Sequence, residues 1–580
     1  MSQEFEIKEY DFSENGLSKI NTKYINWPVV YLINNDKKVY IGETSNIKDR
    51  MKQHLKNPEK DFLKLINIIF DEKFNKSAIL DIEQNLIRMF YADSKYASNN
   101  GIINKNNGQS SKHNYYQREM YLNKLEEIWR ILRNKELVVN SYSHIINSDI
   151  YKYSPFVSLT EEQEEIMCKI INNILDSLEG KTDNTTSIIT GLAGTGKTIL
   201  AISLIYNIMS GNDDYTDIVR EDEDTETLSE YYRTMHRLRK YVFENGKIKV
   251  GFVVPMTSLR NTLNSVFKSI DKKRLKDVVI GPGDVVNNDY DVIICDEAHR
   301  LAKYKNIANM GDFKKKCRKL GVDENTSTQL DWIALKSKYK VLFYDGNQTI
   351  KGSDISKGNV DKLIQDNSDK CYTLKAQLRC KSGELFLDDV DRLFNCSLDN
   401  KIESSESFEI KVFDNPNEMI KRIKALDKKY GLCRTVAGYD WTWKSKDKTY
   451  EEINSGDLYD FNFDGQKYIW NHTNTKWILS DNAVNEIGCV HTVQGYDLNY
   501  VGVIIGPDLS YDKETNKVEV HIDELEDANV KRGTEAEIVK EYIINTYKVL
   551  MERGIRGCYV YACDENMQEY LKKCIESYVE

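Results

Sequence analysis

The sequence predicts a multidomain α/β protein in which a small α/β unit precedes two parallel sheets covered by helices. From about residue 158 to the end, apolar strands alternate with helical segments, a pattern typical of parallel sheets. Before it, residues 24–110 combine two short strands with two stretches of helical apolar spacing. A chain of 580 residues also has room for about three or four domains.

The composition is that of a folded, globular protein. Hydrophobic residues make up 40% and charged residues 30%, and the net charge is 81 − 91 = −10. No apolar run approaches the ~20 residues that span a bilayer, and the acidic N-terminus lacks a secretory core. The eleven cysteines are scattered without a CxxC pair, which favours a reducing compartment. We therefore expect a cytoplasmic protein without a membrane partner.

The individual elements follow from local patterns. The apolar runs 29–33 and 38–41 are separated by a polar turn and predict a hairpin, and apolar spacing predicts helices over 46–55 and 79–91. Residues 111–157 begin with a helical stretch, 115–133, and predict a connector. The later apolar runs predict the parallel strands: 187–190, 250–255, 292–295, 341–344, 501–505 and 558–562. They suggest two sheets that divide near residue 355.

A phosphate-binding loop lies between the strand at 187–190 and a helix predicted over 199–209. Its sequence is G-x-x-x-x-G-K-T, and its glycines are Gly191, Gly194 and Gly196. Glycines allow successive backbone N–H groups to converge on an anion, and the helix N-terminus adds positive potential. In this context Lys197 is expected to neutralise the β- and γ-phosphates of ATP, and Thr198 to bind Mg²⁺.

Two carboxylates end the strand at 292–295. Asp296 is expected to hold Mg²⁺ through water, and Glu297 to orient the attacking water. Mg²⁺ requires only one or two carboxylates when phosphates and water complete its shell. The strand, the loop and the carboxylates together predict an ATPase.

Residues 158–580 resemble the two-lobed superfamily 1 helicase-type ATPases, and more closely the Schlafen-like family. The matching segments follow the family order: 159–163, 253–260, 345–348, 374–380, 437–443, 488–506 and 545–557. The resemblance implies two RecA-like lobes, with ATP bound between them. It implies that Gln163 contacts adenine, that Gln348 senses the γ-phosphate, and that Arg379 and Arg553 are second-lobe arginines, Arg553 being the finger.

The resemblance also implies that single-stranded nucleic acid lies across both lobes. Candidate contacts to its backbone are Thr257, Ser258, His491, Thr492 and Gln494. Four tryptophans are candidates for base-stacking platforms, although we expect most of them to be core residues: Trp441, Trp443, Trp470 and Trp477.

Residues 24–110 resemble the GIY-YIG nuclease family. Val29-Val30-Tyr31 stands where the family has Gly-Ile-Tyr, and Tyr40-Ile41-Gly42 matches the second half of the motif. The remaining motif positions follow in order: Arg50, His54, Glu83 and Asn104. The resemblance therefore implies a small α/β domain that cleaves phosphodiesters.

Phosphodiester cleavage needs a base, a charge clamp and a Lewis acid, and the motif offers each. The resemblance implies that Tyr31 or Tyr40 activates water and that Arg50 clamps the phosphate, to which its planar fork is suited. Glu83 is expected to hold one Mg²⁺ or Mn²⁺. Two supporting positions complete the set: His54 and Asn104.

The sequence as a whole predicts an ATP-dependent DNA nuclease-helicase. The predicted domains are the nuclease (24–110), the connector (111–157) and two lobes (158–355 and 356–580). Single-stranded or branched DNA is the expected substrate and bacterial anti-phage defence or DNA repair the expected setting, with a homo-oligomer or a defence-system partner possible. The alternative hypothesis is a nucleotide-dependent nucleic-acid sensor that does not translocate. A third, less favoured hypothesis is an RNA-directed nuclease.

The charge distribution is compatible with a nucleic-acid partner. Residues 211–230 carry nine acids and one base, and residues 511–530 carry seven acids and two bases. The rest of the chain therefore sums to −10 + 8 + 5 = +3. Both acidic runs are expected to be solvated loops, and 211–230 is alternatively a nucleic-acid mimic that occupies a basic groove.

Overall fold

A computed structural model describes residues 5–97, 101–104, 117–211, 230–271, 273–304, 309–346, 354–355, 357–376, 384–473, 477–493, 496–531 and 534–579. The chain divides into two compact units. One comprises Met1–Met167, Ile202–Ser210 and Thr262–Lys276, and the other comprises Cys168–Ala201, Gly211–Asn261 and Asp277–Glu580.

The strands are β1 (Glu6–Asp11), β2 (Val29–Asn34), β3 (Val39–Thr44), β4 (Leu65–Phe70), β5 (Thr186–Gly191), β6 (Val250–Val253), β7 (Val279–Ile280), β8 (Tyr290–Cys295), β9 (Ser337–Tyr344), β10 (Cys371–Leu374), β11 (Glu409–Val412), β12 (Cys433–Ala437), β13 (Phe461–Phe463), β14 (Gln466–Tyr468), β15 (Ile487–Cys489), β16 (Leu498–Ile505), β17 (Leu509–Asp512), β18 (Lys517–Val520) and β19 (Gly554–Ala562).

The helices are α1 (Glu14–Ser18), α2 (Ile47–Leu55), α3 (Lys76–Ala92), α4 (Ser94–Ala97), α5 (Arg118–Asn134), α6 (Tyr142–Asn147), α7 (Asp149–Lys152), α8 (Glu161–Leu178), α9 (Lys197–Ser210), α10 (Glu230–Asn245), α11 (Thr257–Asp271), α12 (Met310–Leu320), α13 (Gln329–Lys336), α14 (Lys357–Asp366), α15 (Glu384–Phe394), α16 (Pro416–Tyr430), α17 (Tyr450–Gly456), α18 (Val490–Val493), α19 (Ala528–Lys531), α20 (Ala536–Met551) and α21 (Glu565–Cys574). None of the helices in this described part of the chain is long and apolar enough to cross a membrane.

The first unit contains a four-stranded antiparallel sheet with strand order β1-β4-β2-β3. Every residue of β2 is buried, because β4 and β3 flank this strand and hydrophobic clusters cover both faces of the sheet. The predicted hairpin is therefore β2–β3. Strand β1, which begins before the predicted domain start at residue 24, and strand β4 were not predicted.

Helix α5 packs into the same core as this sheet, although its sequence predicts a connector. Trp129 of α5 is fully buried and meets Phe90 of α3 edge-to-face, with ring centroids 5.4 Å apart. Two ion pairs add polar contacts: Arg118 Nε lies 2.7 Å from Asp81 Oδ2, and Lys124 Nζ pairs with Asp71. The helix completes the hydrophobic core that supports α3.

The second unit contains two parallel sheets covered by helices, which confirms the predicted fold class. The first sheet has the order β10-β5-β9-β8-β6-β7. Its strands β5 and β8 are largely buried, as is typical of strands within a parallel sheet. Strand β10 pairs with β5 although it lies after residue 355, and the predicted lobe boundary stays a prediction.

The second sheet has the order β11-β19-β16-β12-β15, and two short hairpins, β13–β14 and β17–β18, stand beside it. After the ends of β12 and β16, the Tyr547 hydroxyl of α20 lies 2.9 Å from Asp440 Oδ2 and 2.6 Å from Asp508 Oδ1. Burial and the neighbouring Asp508 raise the pKa of Asp440, and burial raises the pKa of Asp508. A Cβ at Gly506 would lie 1.7 Å from Asp440 Oδ2, so only glycine fits there.

Candidate functional site

The two motif tyrosines of the first unit lie on neighbouring strands. In the β2–β3 register Tyr31 pairs with Gly42 and Tyr40 pairs with Ile33. The Tyr31 and Tyr40 rings have centroids 6.3 Å apart. A Cβ at Gly42 would lie 2.4 Å from the Tyr31 hydroxyl, so the glycine allows the Tyr31 ring to lie across β3. The pairing thus brings both phenols to one site.

Helix α2 places two further motif residues against Tyr31. His54 Nε2 lies 2.8 Å from the Tyr31 hydroxyl, and Arg50 Nε donates to the same oxygen at 3.4 Å. The two side chains are four residues apart and therefore share one helix face. Burial raises the pKa of Tyr31 well above its usual value. Burial, then the charges of Lys60 and Arg50, lower the pKa of His54 to about 3, so its imidazole is neutral.

Glu83 of α3 is the buried carboxyl of this site. It is 8% exposed, and burial followed by the charge of Glu43 raises its pKa to about 8, while Lys76 opposes that shift. Lys76 Nζ lies 2.5 Å from Glu43 Oε2 and partly neutralises it. A nearby cation would lower the raised pKa of this buried carboxyl, since a cation favours its ionised form.

The Asn104 side-chain amide bonds the backbone of β3 and not the motif tyrosines. Its Oδ1 accepts from Ile41 N at 3.0 Å and its Nδ2 donates to Ile41 O at 2.7 Å. This paired contact fixes the backbone next to Tyr40. Asn104 therefore holds the strand that carries the second motif tyrosine.

The phosphate-binding loop of the second unit adopts the geometry that its glycines predict. Gly194 and Gly196 have φ of +83° and +81°, values that L side chains rarely adopt. Lys197 begins α9, is 7% exposed, and its Nζ donates to Gly191 O at 2.6 Å and Leu192 O at 2.8 Å. The ammonium thus lies within the loop, where a phosphate chain would be held.

The carboxylates after β8 lie beside this loop. Thr198 Oγ1 donates to Asp296 Oδ2 at 2.7 Å, which joins the two predicted Mg²⁺ ligands directly. Burial and the neighbouring Glu297 raise the pKa of Asp296. Glu297 has a φ of +51° and lies 3.1 Å from His299 Nε2, and although burial opposes it, His299 lowers the pKa of Glu297. A non-glycine residue in this backbone region is typical of functional sites.

Asp345 at the end of β9 completes this cluster. Its Oδ2 lies 3.0 Å from Lys197 Nζ, and both side chains are buried. The expected sensor that follows it, Gln348, lies outside the described residues. The segment 345–348 was predicted only as part of the γ-phosphate-sensing motif. The ion pair of Asp345 with Lys197 was not predicted, because no sequence signal joins positions 148 residues apart.

A cavity of about 950 Å³ opens beside the phosphate-binding loop. Leu192, Ala193 and Asp345 line one side, and α20 contributes Lys548 and Glu552 on the other. The hairpin β17–β18 also lines it, so part of the acidic run 511–530 is a β-hairpin. Most side chains of this run are exposed or partly exposed, as their charge predicts. The cavity is a space of suitable size for a nucleotide.

Of the two predicted second-lobe arginines, the structure describes only Arg553. Arg553 is 1% exposed, and its Nε donates to Val549 O at 3.0 Å within the lobe core. It does not line the 950 Å³ cavity as described, whereas Glu552 beside it does. Arg379 lies outside the described residues. The catalytic role of both stays a prediction.

Gln163 lies at the start of α8, in the first unit. It is 1% exposed, and its Oε1 accepts from Thr160 N at 3.1 Å while its own N–H donates to Thr160 Oγ1 at 3.2 Å. These bonds cap the helix N-terminus. The adenine contact expected of Gln163 stays a prediction.

The expected nucleic-acid contacts differ in accessibility. Thr257 is exposed, and its hydroxyl accepts from Arg260 Nη2 at 3.1 Å; Ser258 beside it is partly exposed. His491 Nε2 lies 3.0 Å from Asp527 Oδ2. Thr492 is buried and donates to Cys489 O at 2.8 Å, so it is a turn residue and not an exposed phosphate contact.

Other expected contacts are either undescribed or part of the core. Gln494 and residues 212–229, which hold most of the first acidic run, lie outside the described residues. Trp470 and Trp477 are buried, and Trp441 packs against Phe461 with centroids 4.7 Å apart. Trp443 is half-buried and packs against the same hydrophobic cluster as Trp441. The tryptophans therefore serve mainly as core residues.

The candidate metal ligands of both sites suit Mg²⁺ or Mn²⁺ better than a metal ion that is coordinated entirely by protein side chains. Within the described ranges no group of three or more His, Cys, Asp or Glu side chains is arranged to hold a metal ion. Glu83 in one site and Asp296 with Thr198 in the other offer few, hard oxygen ligands. Mg²⁺ accepts this arrangement because it retains water and phosphate oxygens.

Two known protein families match the sequence of this chain. The model of the Schlafen group 3 DNA/RNA helicase domain matches residues 184–564, and the model of the GIY-YIG catalytic domain matches residues 28–97. The chain belongs to the Schlafen group 3 helicase family. Both predicted resemblances are confirmed, and this family member joins a nuclease-class domain to a helicase-class domain.

Individual relatives of this Schlafen group 3 protein are distant. The uncharacterized protein YPL245W of Saccharomyces cerevisiae is 29% identical over 455 residues, 72% of this chain and 90% of that protein. The arterivirus helicase, nonstructural protein 10, aligns at 10% identity and a TM-score of 0.27, over 69% of this chain and 64% of its own. A Bacteroides Pif1 helicase, solved with ADP-AlF3 and single-stranded DNA, aligns at 13% identity and a TM-score of 0.24, over 69% and 92%.

Proposed function

We propose that this Schlafen group 3 protein is an ATP-dependent nuclease-helicase that cleaves DNA. The observation that supports it most directly is the cluster of Tyr31, His54 and Arg50 in a chain that also joins Thr198 of the phosphate-binding loop to Asp296. The first set suits phosphodiester cleavage, and the second suits ATP hydrolysis.

In the cleavage reaction, Tyr31 accepts a proton from the attacking water. The Arg50 guanidinium donates to the Tyr31 oxygen and would stabilise the phenolate that this transfer requires. The same guanidinium, half-buried at the site, would meet the charge that develops on the phosphate. A divalent cation at Glu83 supplies Lewis acidity when bound.

In the ATPase reaction, the loop N–H groups and Lys197 hold the phosphate chain. Because Lys197 is paired with Asp345, nucleotide has to compete with a carboxylate for the ammonium. Glu297 orients the attacking water next to Asp296 and Thr198. Mg²⁺ at the last two residues would neutralise charge on the phosphates.

The proposed setting is anti-phage defence or DNA repair, and the preferred substrate is single-stranded or branched DNA. Joining both domains in one chain raises the local concentration of nucleic acid at the nuclease. The ATP state could then control when cleavage occurs. RNA is the less favoured substrate, and the experiment includes it because the matched family model describes a DNA/RNA helicase domain.

The test uses the full-length protein with metal, ATP and nucleic acid varied independently. Single-stranded, duplex and branched DNA and RNA are offered to the wild type, Glu83→Ala and Lys197→Ala. We expect Glu83→Ala to lose cleavage but hydrolyse ATP, and Lys197→Ala to lose ATP hydrolysis. Equal cleavage by Lys197→Ala and wild type with ATP would refute the coupling, and ATP-driven clamping without strand displacement would favour the sensor alternative.

A further inference from the structure

A lysine that no motif includes lies inside the nuclease site. Lys60 ends the short turn Pro58–Lys60 after α2 and is 6% exposed. Its Nζ lies 2.8 Å from His54 Nδ1 and 3.3 Å from the centroid of the Tyr40 ring. A buried lysine in hydrogen-bond contact with an imidazole is unusual, because burial disfavours the ammonium.

The contact extends to the motif tyrosine. Lys60 Nζ, the two nitrogens of His54 and the Tyr31 hydroxyl form a continuous chain with steps of 2.8 Å and 2.8 Å. Arg50 Nε donates to the far end of this chain, at the Tyr31 oxygen. The chain therefore joins a buried amine to the group that would activate water.

The protonation state of Lys60 sets the tautomer of His54. An ammonium only donates, so it forces His54 Nδ1 to accept and leaves the hydrogen on Nε2, facing Tyr31. A neutral amine can accept from Nδ1–H, and Nε2 is then an acceptor for the phenol hydrogen of Tyr31. Only the second arrangement gives the phenol hydrogen a place to go.

The charged and titratable groups around Lys60 come from several elements. They are Arg50 and His54 on α2, Tyr40 on β3, Tyr31 on β2 and Glu59 in its own turn. Burial and the Arg50 charge lower the pKa of Lys60 to about 7, against the opposing effect of Glu59. Both forms of the amine are therefore accessible near neutral pH.

We propose that Lys60 is a positioning residue of the nuclease, which acts through His54 to direct the Tyr31 proton. This inference rests on the proposed nuclease function. The Tyr31 phenol proton passes to His54 Nε2, and the His54 Nδ1 proton passes to the neutral Lys60 amine, which becomes the ammonium and leaves Tyr31 as the phenolate. The phenolate takes the proton of the attacking water as the new oxygen–phosphorus bond forms and the bond from phosphorus to the leaving oxygen breaks. The leaving oxygen is protonated by solvent, Lys60 returns its proton to solvent, and exchange with solvent restores the starting tautomer of His54.

The first measurement is the pH profile of cleavage in full-length protein. Lys60→Met removes the amine at similar volume, and Lys60→Arg keeps a charge that is never neutral near pH 7. Wild type is expected to gain activity with a midpoint near the pKa of Lys60. Both variants are expected to lose this midpoint and to cleave at least about tenfold more slowly above it. Unchanged ATP hydrolysis shows that the second unit is intact, and an unchanged denaturant-unfolding midpoint shows that the first unit is folded.

The second measurement does not depend on cleavage. Nitrogen NMR of histidine-labelled protein reports which ring nitrogen carries hydrogen, and loss of a signal in His54→Gln identifies His54 among the eight histidines. We expect the wild-type tautomer to change near neutral pH and Lys60→Arg to hold hydrogen on Nε2 throughout. The same tautomer and pH profile in wild type and Lys60→Met would overturn the inference. If the wild type cleaves no substrate but the His54 tautomer changes with pH as expected, the proposed nuclease function is wrong. The coupling of Lys60 to His54 is then still supported.

Discussion

The elevated pKa of Glu83 predicts that metal binding to the nuclease site depends strongly on pH. Burial and the Glu43 charge place this pKa at about 8. At that value roughly one tenth of the carboxyl is ionised at about pH 7 and roughly half at about pH 8. Metal binds only the ionised form, so the apparent affinity should rise about fivefold over this one unit.

The assay is Mn²⁺ binding by calorimetry or electron paramagnetic resonance at several pH values. The ATPase site also binds divalent cations, so the quantity to compare is the difference between wild type and Glu83→Gln. Lys76→Met is the matched perturbation: it removes a charge that lowers the Glu83 pKa and should move the transition to higher pH. The reasoning is refuted if the Glu83-dependent binding is constant with pH or if Glu83→Gln binds as much metal as wild type.

Three further predictions concern packing and buried charge. Gly42→Ala places a Cβ 2.4 Å from the Tyr31 hydroxyl and should abolish cleavage while costing about 1–3 kcal/mol in unfolding free energy. Lys124→Ala strands the buried Asp71 carboxylate and should cost about 3–5 kcal/mol, measured by denaturant unfolding. Asp508→Asn should flatten the pH dependence of stability, because a raised folded pKa makes wild-type stability fall as pH rises from about 4 toward that pKa.

Each prediction has a control. Gly42→Ala should hydrolyse ATP normally, and cleavage at the wild-type rate would contradict the clash with Tyr31. Pairing Lys124→Ala with Asp71→Asn should recover most of the stability that Lys124→Ala alone loses, and failure to do so would assign the loss to packing. Parallel stability–pH curves for Asp508→Asn and wild type would contradict the buried-carboxyl argument.

Sequence patterns predicted those elements of the fold whose defining residues are adjacent in the sequence. The phosphate-binding loop was predicted because strand, glycines and helix are adjacent in sequence, and β8 because its apolar run ends in Asp296 and Glu297. Strand β1 was missed because its apolar and charged residues give no clean alternation. Strand β10 was missed because only its pairing with β5 defines it.

The site was predictable where residues belong to a motif and not where long-range packing creates the contact. Tyr31, Arg50 and His54 were named from the resemblance to the GIY-YIG motif, and the structure brings them within hydrogen-bond distance. Lys60 was not predicted, since periodicity cannot show that a turn folds back onto α2. The buried position of Arg553 also depends on how the lobe packs around it.

The packing of α5 against α3 affects how this nuclease could be exchanged between proteins. Cutting the chain at residue 110 would remove Trp129, expose the face of Phe90 and leave the Asp71 and Asp81 carboxylates without their basic partners. The smallest transferable piece with a closed core therefore extends at least through α6, whose Ile145 belongs to the same cluster. A recombination event, natural or engineered, should preserve the nuclease only when its crossover falls beyond that helix.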